Sequence, residues 1–293
     1  LSQRTQNIES NRNWLFQTDY VHPFKKDVKL ETGLKATLRR INNDYKVEEF
    51  SDSAQWEILD EFNNNFIFDE NVYAAYLMAS GKIKRLSLQG GVRAEYSDIT
   101  TELTRTNEKN RQQYISFFPS AHLSYEFASN NSLQLSYSRR ISRPRFRHLL
   151  PFFSLTDNRN IYSGNPDVKP IFTHSVELGH LKTWDKCSLL TSVYYRHRDG
   201  VIERISRSDS TGVITTLPVN LSTEDAAGLE FSFSYNLFKW WRVMLSANAY
   251  YSITDGEYEG QSFYAETFTA RGRFTSKWTI WKRLDIQTAF MYR

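Results

Sequence analysis

The chain has 293 residues, 40% of them hydrophobic and 24% charged, with a mean hydropathy of −0.57. Its longest purely apolar run, Val72–Ala79, falls far short of the ~20 residues a spanning helix needs, which excludes a helical membrane protein; aromatics at 15% argue against disorder. The formal charge of +4 is spread along the chain, unlike a nucleic-acid surface, and the single Cys187 excludes an internal disulfide framework and a Cys-based zinc site.

In chain order, Leu1–Asn11 is polar and has no apolar signal core, so no targeting segment is expected within the numbered chain. From there the dominant signal has period two. Val28, Leu30, Leu34, Ala36 and Leu38 alternate with Lys29, Glu31, Lys35 and Arg39. Leu86, Leu88, Val92, Ala94 and Tyr96 fall on one face of a strand, opposite Ser87, Gln89, Arg93 and Glu95. The pattern recurs at Ala121–Phe127, Leu133–Tyr137, Ala227–Tyr235, Val243–Tyr251 and Leu284–Tyr292, and helical spacing is sustained nowhere.

These repeats make about twelve strands of ~10 residues or more. Short turns are expected near His22–Asp27, Ala79–Lys84, Ala128–Ser132, Lys182–Lys186, Asn236–Trp240 and Lys277–Trp281. Long connectors are expected between them, near Asn42–Asn63, Asp98–Arg111, Arg143–Pro170, Arg198–Thr215 and Thr254–Gly260. Strands joined by short turns at one end and long loops at the other are the plan of a transmembrane barrel. A soluble sandwich has no reason to keep its long loops together, and a soluble barrel this wide could not fill its lumen with side chains. The expected fold is therefore all-β: a transmembrane antiparallel up-and-down β-barrel, apolar toward lipid and polar toward a wet or plugged bore. Phe24, Phe127, Trp240, Trp241, Trp278 and Trp281 lie at short turns, where amphipathic rings form an interfacial girdle.

At Tyr137–Pro144 the chain reads Tyr-Ser-Arg-Arg-Ile-Ser-Arg-Pro, then Tyr162-Ser-Gly-Asn-Pro-Asp-Val-Lys-Pro170 and Thr173-His-Ser-Val-Glu-Leu-Gly179. This series resembles TonB-dependent outer-membrane receptors, closest to their Bacteroidetes-type β-barrel branch. Phe118–Tyr125 and Gly228–Phe231 followed by Trp240-Trp241 resemble them too; Ile171 departs, standing where the family often has Glu. The family-motif residues are Gly164, Asn165, Pro166, Lys169 and Pro170. The resemblance implies a 22-stranded barrel plugged by an N-terminal domain in the Gram-negative outer membrane. It also implies uptake of a siderophore–iron complex, cobalamin, oligosaccharide or peptide, driven by a TonB complex. Residues 1–293 are then expected to be part of one barrel domain, without the plug and last strands. The implied partners are outer-membrane lipid and lipopolysaccharide, the plug, TonB, a surface lipoprotein and the nutrient, with no cofactor and no nucleic acid. A passive porin or a channel component of a secretion or efflux system is the alternative; a soluble carbohydrate-binding β protein is a second.

Ligand contact is expected from the long loop through Arg143, Arg145, Phe146, Arg147, Phe152, Phe153 and Tyr162, with His148 among them. Guanidinium groups grip oxyanions in bidentate fashion, aromatics stack on flat ligands, and loops on rigid scaffolds carry binding. The competing role is lipopolysaccharide contact or plain solvation. Arg93, Glu95, Glu177, Arg196 and Glu230 are expected on the bore wall, holding the plug or pairing across strands. His174 and His180 share the lipid face without a Cys or carboxylate at ligand spacing, so no metal site is expected. The chain carries no nucleophile elbow, His-Glu-x-x-His or phosphate loop, and no enzymatic activity is expected.

Overall fold

Pairing order follows chain order almost without interruption. The computed structural model describes residues 2–25, 27–50, 55–59, 63–151, 159–210, 212–221, 223–281 and 284–293. The long strands are β1 (Gln3–Lys25), β2 (Val28–Phe50), β4 (Asn64–Ile83), β5 (Leu86–Leu103), β6 (Glu108–Ala128) and β7 (Asn131–Ser142). They continue as β9 (Ile171–Thr183), β10 (Cys187–Asp199), β13 (Thr223–Phe238), β14 (Trp241–Tyr258), β15 (Gln261–Ile280) and β16 (Leu284–Tyr292). Each pairs antiparallel with the next along one sheet, with β3 (Trp56–Ile58) added to the end of β2. The remaining elements are α1 (Phe146–Leu149), β8 (Asn160–Tyr162), β11 (Ile202–Ser208) and β12 (Ile214–Asn220); β8, β11 and β12 form a small second sheet. Among the described residues β1 and β16 do not pair with each other, so the sheet is an unclosed part of a barrel.

The register places like residues side by side. Leu88, Leu123, Leu135, Leu178, Val193, Leu229, Ala249 and Ala270 form one continuous row across eight strands. One residue along, the neighbouring row is Gln89, His122, Ser136, Glu177, Tyr194, Gly228, Tyr250 and Thr269. Leu88, Leu135, Leu178, Val193 and Leu229 of the apolar row stand free, 41% to 56% exposed, whereas on the polar face Ser97, Ser192 and Glu95 are buried. A concave face crowds its side chains and a convex face splays them, so the polar face lines the bore. A soluble β protein would bury the apolar row in a core; here it is bare, which overturns that reading.

The apolar band has the height of a membrane. From Leu86 to the outward Tyr96 the strand climbs roughly 25 Å, at ~3.4 Å per residue and ~45° tilt, matching the band of transmembrane barrels. At the short-turn end Phe238, Trp240, Trp241 and Trp278 stack in a chain of rings with centroids 5.3–6.4 Å apart, and Trp281 is 87% exposed. The four tryptophans are among the expected girdle residues, and Phe238 joins them.

The strands run longer than expected at the other end. Asp98–Arg111 is mostly strand, with only Thr104–Asn107 as a turn, and β2 extends to Phe50. Thr254–Gly260 is likewise strand up to a two-residue turn, Glu259-Gly260, whose left-handed φ values of 51° and 77° suit a tight hairpin. The strand pairs rise out of the apolar band as wet ribbons.

Candidate functional site

Above the band the inner face changes character. Ile41, Phe66, Phe68, Ile99 and Leu103 point into the bore and form a buried cluster with Leu149 and Val168 of the 143–170 connector. Phe146, Leu150, Tyr114 and Ile202 pack around it. The described parts of the connector therefore fold down into the bore, and burial of apolar surface holds them there.

Polar anchors fix both of its ends. At the start, Arg143 turns inward from β7 and donates from Nη2 to Glu95 Oε2 (2.6 Å) and to Ser97 Oγ (2.9 Å), with Glu70 3.8 Å from its Nε. Arg93 donates to the other oxygen of Glu95 at 2.6 Å. At the far end the family motif is a lock. The amides of Gly164 and Asn165 donate to the carbonyls of Leu150 and His148 at 2.8 and 2.7 Å. Asn165 Oδ1 accepts from the Asp167 amide (3.0 Å), and its Nδ2 donates to the Pro218 carbonyl (3.2 Å). Gln112 on β6 donates to the Pro166 carbonyl at 2.8 Å, and the Lys169 amide donates to Asn220 Oδ1 at 2.7 Å. Gly164 has no room for a side chain, since a Cβ would lie 2.6 Å from the Leu150 nitrogen. Pro170 closes the motif at the foot of β9.

Between the anchors lies a cleft of about 520 Å³, lined by Arg145, Phe146, Arg147, His148, Tyr162 and Arg204, with Asn7, Asn43 and Tyr45 of the wall behind them. No described residue forms an ion pair with Arg145, Arg147 or Arg204, and no described carboxylate lines the cleft. Arg204 lies 5.3 Å over the Tyr162 ring, and Arg147 6.0 Å from the Phe146 centroid. Burial, with Arg204 and Arg145 nearby, holds the His148 imidazole below its ordinary pKa. Asn43, 1% exposed, donates to Asn7 at 2.7 Å but leaves its Oδ1 without a partner; His148 Nδ1 is also unpartnered. A cleft rich in uncompensated guanidinium groups, with aromatic faces beside them, suits an anionic ligand with flat parts.

The sequence candidates thus divide. Arg145, Phe146, Arg147 and Tyr162 meet in the cleft, whereas Arg143 is taken up by the wall carboxylates Glu95 and Glu70 and clamps the start of the connector. Phe152 and Phe153 lie outside the described residues. Arg93 and Glu95 sit on the inner wall within that clamp. Arg196 lies 4.0 Å over the Tyr194 ring next to the Glu177 row, and Glu230 lines a smaller cavity with Arg271 and Arg273. His174 accepts or donates a hydrogen bond with the Tyr137 hydroxyl at 2.9 Å, and His180 stacks on Phe127. Among the described residues no His, Cys, Asp or Glu group could hold a metal ion. Arg204 and Asn43 were not anticipated; Arg204 sits in a stretch read as plain connector, and Asn43 at the edge of one.

No curated protein matches the chain. Among solved structures it resembles the copper transporter OprC, at TM-score 0.68 and 16% identity over 98% of this chain and 44% of that one. It also resembles the ferric-catecholate import receptor Fiu of E. coli K12, at TM-score 0.67 and 13% identity over 97% and 44%. A third is the siderophore receptor PiuA of Acinetobacter baumannii, at TM-score 0.66 and 11% identity over 98% and 46%. The chain thus spans under half the length of these proteins, and at such identities the likeness is one of fold. The whole sequence, residues 1–293, matches the family model described as the outer membrane protein beta-barrel family. The bare apolar band, the row of tryptophans at its short-turn end and this match agree: the chain belongs to the outer membrane protein β-barrel family, and its place is the Gram-negative outer membrane.

Proposed function

We propose that the chain forms part of the barrel wall of an energy-coupled uptake receptor whose cleft captures an anionic, oxygen-rich nutrient of the metal-chelate class. The observation that carries this reading is the set of Arg145, Arg147 and Arg204 without carboxylate partners, beside Phe146 and Tyr162. Three unpaired cations held in one cleft repel each other, so their joint presence favours an anion that bridges them. The printed descriptions of the neighbours, a copper transporter and receptors for ferric-catecholate and siderophore, support the same class. A cobalamin or neutral oligosaccharide would leave the guanidinium groups uncompensated.

A passive porin fits less well, because the 143–170 connector is packed into the bore and anchored at both ends. In an energised receptor the wall residues Glu177, Arg196 and Glu230 would face the plug, and the TonB complex would act on that plug. The test uses the full-length protein in outer-membrane vesicles and measures binding of radiolabelled anionic iron chelates against a neutral oligosaccharide. Each charge-assisted contact is worth about 1.5–3 kcal/mol, so Arg145→Glu with Arg204→Glu lowers chelate affinity at least ~100-fold. Unchanged binding in a folded double variant, or preference for the neutral ligand, would refute the proposal.

A further inference from the structure

The barrel wall is split between β6 and β7. Strand β6 pairs with β5 from Glu108 to Tyr125, but with β7 only from Ser120 to Ala128. Above that point β7 leans toward β9, which it pairs up to Ser142. Among the described residues, the Glu108–Pro119 edge of β6 has no strand partner on that side.

The cause is in the sequence. In a strand the N–H and C=O of one residue point to the same edge, and the next residue's point to the other. The Glu126 amide bonds the Arg85 carbonyl on the β5 side, so even-numbered residues of β6 serve β5 and odd-numbered ones serve β7. The Phe117 carbonyl confirms the alternation, since it accepts from Arg139 Nη1 of β7 at 2.9 Å. Pro119 is odd-numbered, so the donor proline lacks is the one the β7 ladder would use next after Ala121 and Tyr137. The ladder stops there, and a side chain, Arg139, replaces one of its lost bonds.

The split opens a cleft of about 880 Å³, lined by Arg111, Gln113, Ile115 and Phe117 on one side and by Arg139, Lys169 and Phe172 on the other. In register Ile115 faces Tyr96, the upper limit of the apolar band, so the cleft straddles that limit, with Phe117 just below it and Arg111 and Gln113 above it. At that limit Ile115 and Phe117 expose 66% and 56% of their surface. Apolar side chains on an unpaired edge at the membrane surface are a template for an added strand. Arg111 is neutralised by Asp98 through two hydrogen bonds, and the lining carboxylate Asp167 accepts from Asn110, whereas no described carboxylate pairs with Arg139 or Lys169. The occupant that this charge favours is acidic as well as apolar.

We propose that the β6 edge from Arg111 to Phe117 receives an extended, acidic-and-apolar segment of a partner polypeptide by β-strand addition. The segment bonds to the backbone groups of Arg111, Gln113, Ile115 and Phe117, rests its apolar side chains on Ile115 and Phe117, and places carboxylates against Arg139 and Lys169. This site is separate from the cleft for the nutrient and stands whether or not that reading holds.

The test places a benzophenone amino acid at position 113, 115 or 117 of the full-length protein in its native outer membrane. Adducts are expected from all three positions, mapping two residues apart along one segment of one partner. Ile115→Pro removes an amide that faces the cleft and leaves the β5 ladder intact, and should lower the adduct yield about tenfold in protein that still runs as a folded barrel. Where that variant fails to fold, Arg139→Glu with Lys169→Glu serves the same purpose and should lower the yield by a similar factor. Adducts confined to this chain, scattered along a partner, or absent from folded protein would overturn the proposal.

Discussion

Removing Arg143 separates the two forces that hold the connector in the bore. The guanidinium makes two charge-assisted or polar hydrogen bonds, to Glu95 and Ser97. Bonds of this kind contribute about 1.5–3 kcal/mol each when buried. Two features reduce the net loss: the Arg143 side chain keeps 20% exposure, and Arg93 still holds Glu95 when Arg143 is gone. Arg143→Met should therefore cost about 1.5–3 kcal/mol, below the ~3–5 kcal/mol typical of orphaning a buried charge. Glu95→Gln should cost more, because it strips the anion from two guanidinium groups at once and leaves only Glu70 nearby. The double variant should cost less than the sum by at least about 1 kcal/mol, since the residues act as one network. Urea titration of the protein refolded into vesicles, followed by tryptophan fluorescence, measures these values. The amides of Gly164 and Asn165, which bond to Leu150 and His148, should exchange faster in both single variants. Additive costs within ~0.5 kcal/mol, or a cheaper Glu95→Gln, would show that Arg143 is not the clamp.

Other substitutions probe the faces and the lock. Leu135→Arg, in the middle of the bare row, should lose about 2–4 kcal/mol in lipid, whereas Gln134→Arg on the bore side should lose under ~0.5 kcal/mol; equal losses would reverse or erase the assignment of faces. Gly164→Ala puts a Cβ against the Leu150 backbone, and overpacking of that kind costs about 1–3 kcal/mol, read as faster protease cleavage within the connector while the barrel midpoint stays put. The depressed pKa of His148 has burial as its main cause and Arg204 and Arg145 as lesser ones. The unfolded imidazole titrates near ~6.5, so the folded connector binds fewer protons than the unfolded one just below that pH. The stabilising contribution of neutral His148 is complete above that pH and is lost as pH falls through the lower folded value. Connector exchange should accelerate between neutral and mildly acidic pH, and His148→Gln should flatten that dependence; an unchanged profile in the variant would assign the effect elsewhere.

The membrane-spanning part of the fold is legible in the sequence because lipid and bore impose opposite demands on successive residues. Leu86–Tyr96 alternates so strictly that both the strand and its outward face can be read directly. Above the band that contrast disappears. Asp98–Leu103 and Glu108–Gln113 have water outside, and the apolar members Ile99 and Leu103 point inward to meet the connector. The period survives while its phase reverses, and a reading tuned to apolar-out alternation takes the ribbon for a loop. The same limit applies to the site. Arg143 and Arg145 are two residues apart in one basic stretch, yet one meets Glu95 and Glu70 of distant strands and the other has no described carboxylate partner. Composition gathers both as ligand candidates, and only the register across β4, β5 and β7 distinguishes clamp from cleft.

The two anchors explain why a binding cleft can sit in a connector at all. A free loop of this length would lose much of its affinity in ordering its own side chains at the moment of capture. Here the ordering cost is met during folding, by Arg143 at one end, by the Asn165 and Asn220 hydrogen bonds at the other, and by Leu149 and Val168 in the wall cluster between them. Arg145, Arg147 and Arg204 are thereby held near one another without counterions, a state that repels itself and that an incoming anion relieves. Anchor variants should therefore weaken ligand capture without touching a ligand, and the loss should scale with connector exchange across the series. A variant that frees the connector yet keeps full affinity would break that link between rigidity and capture.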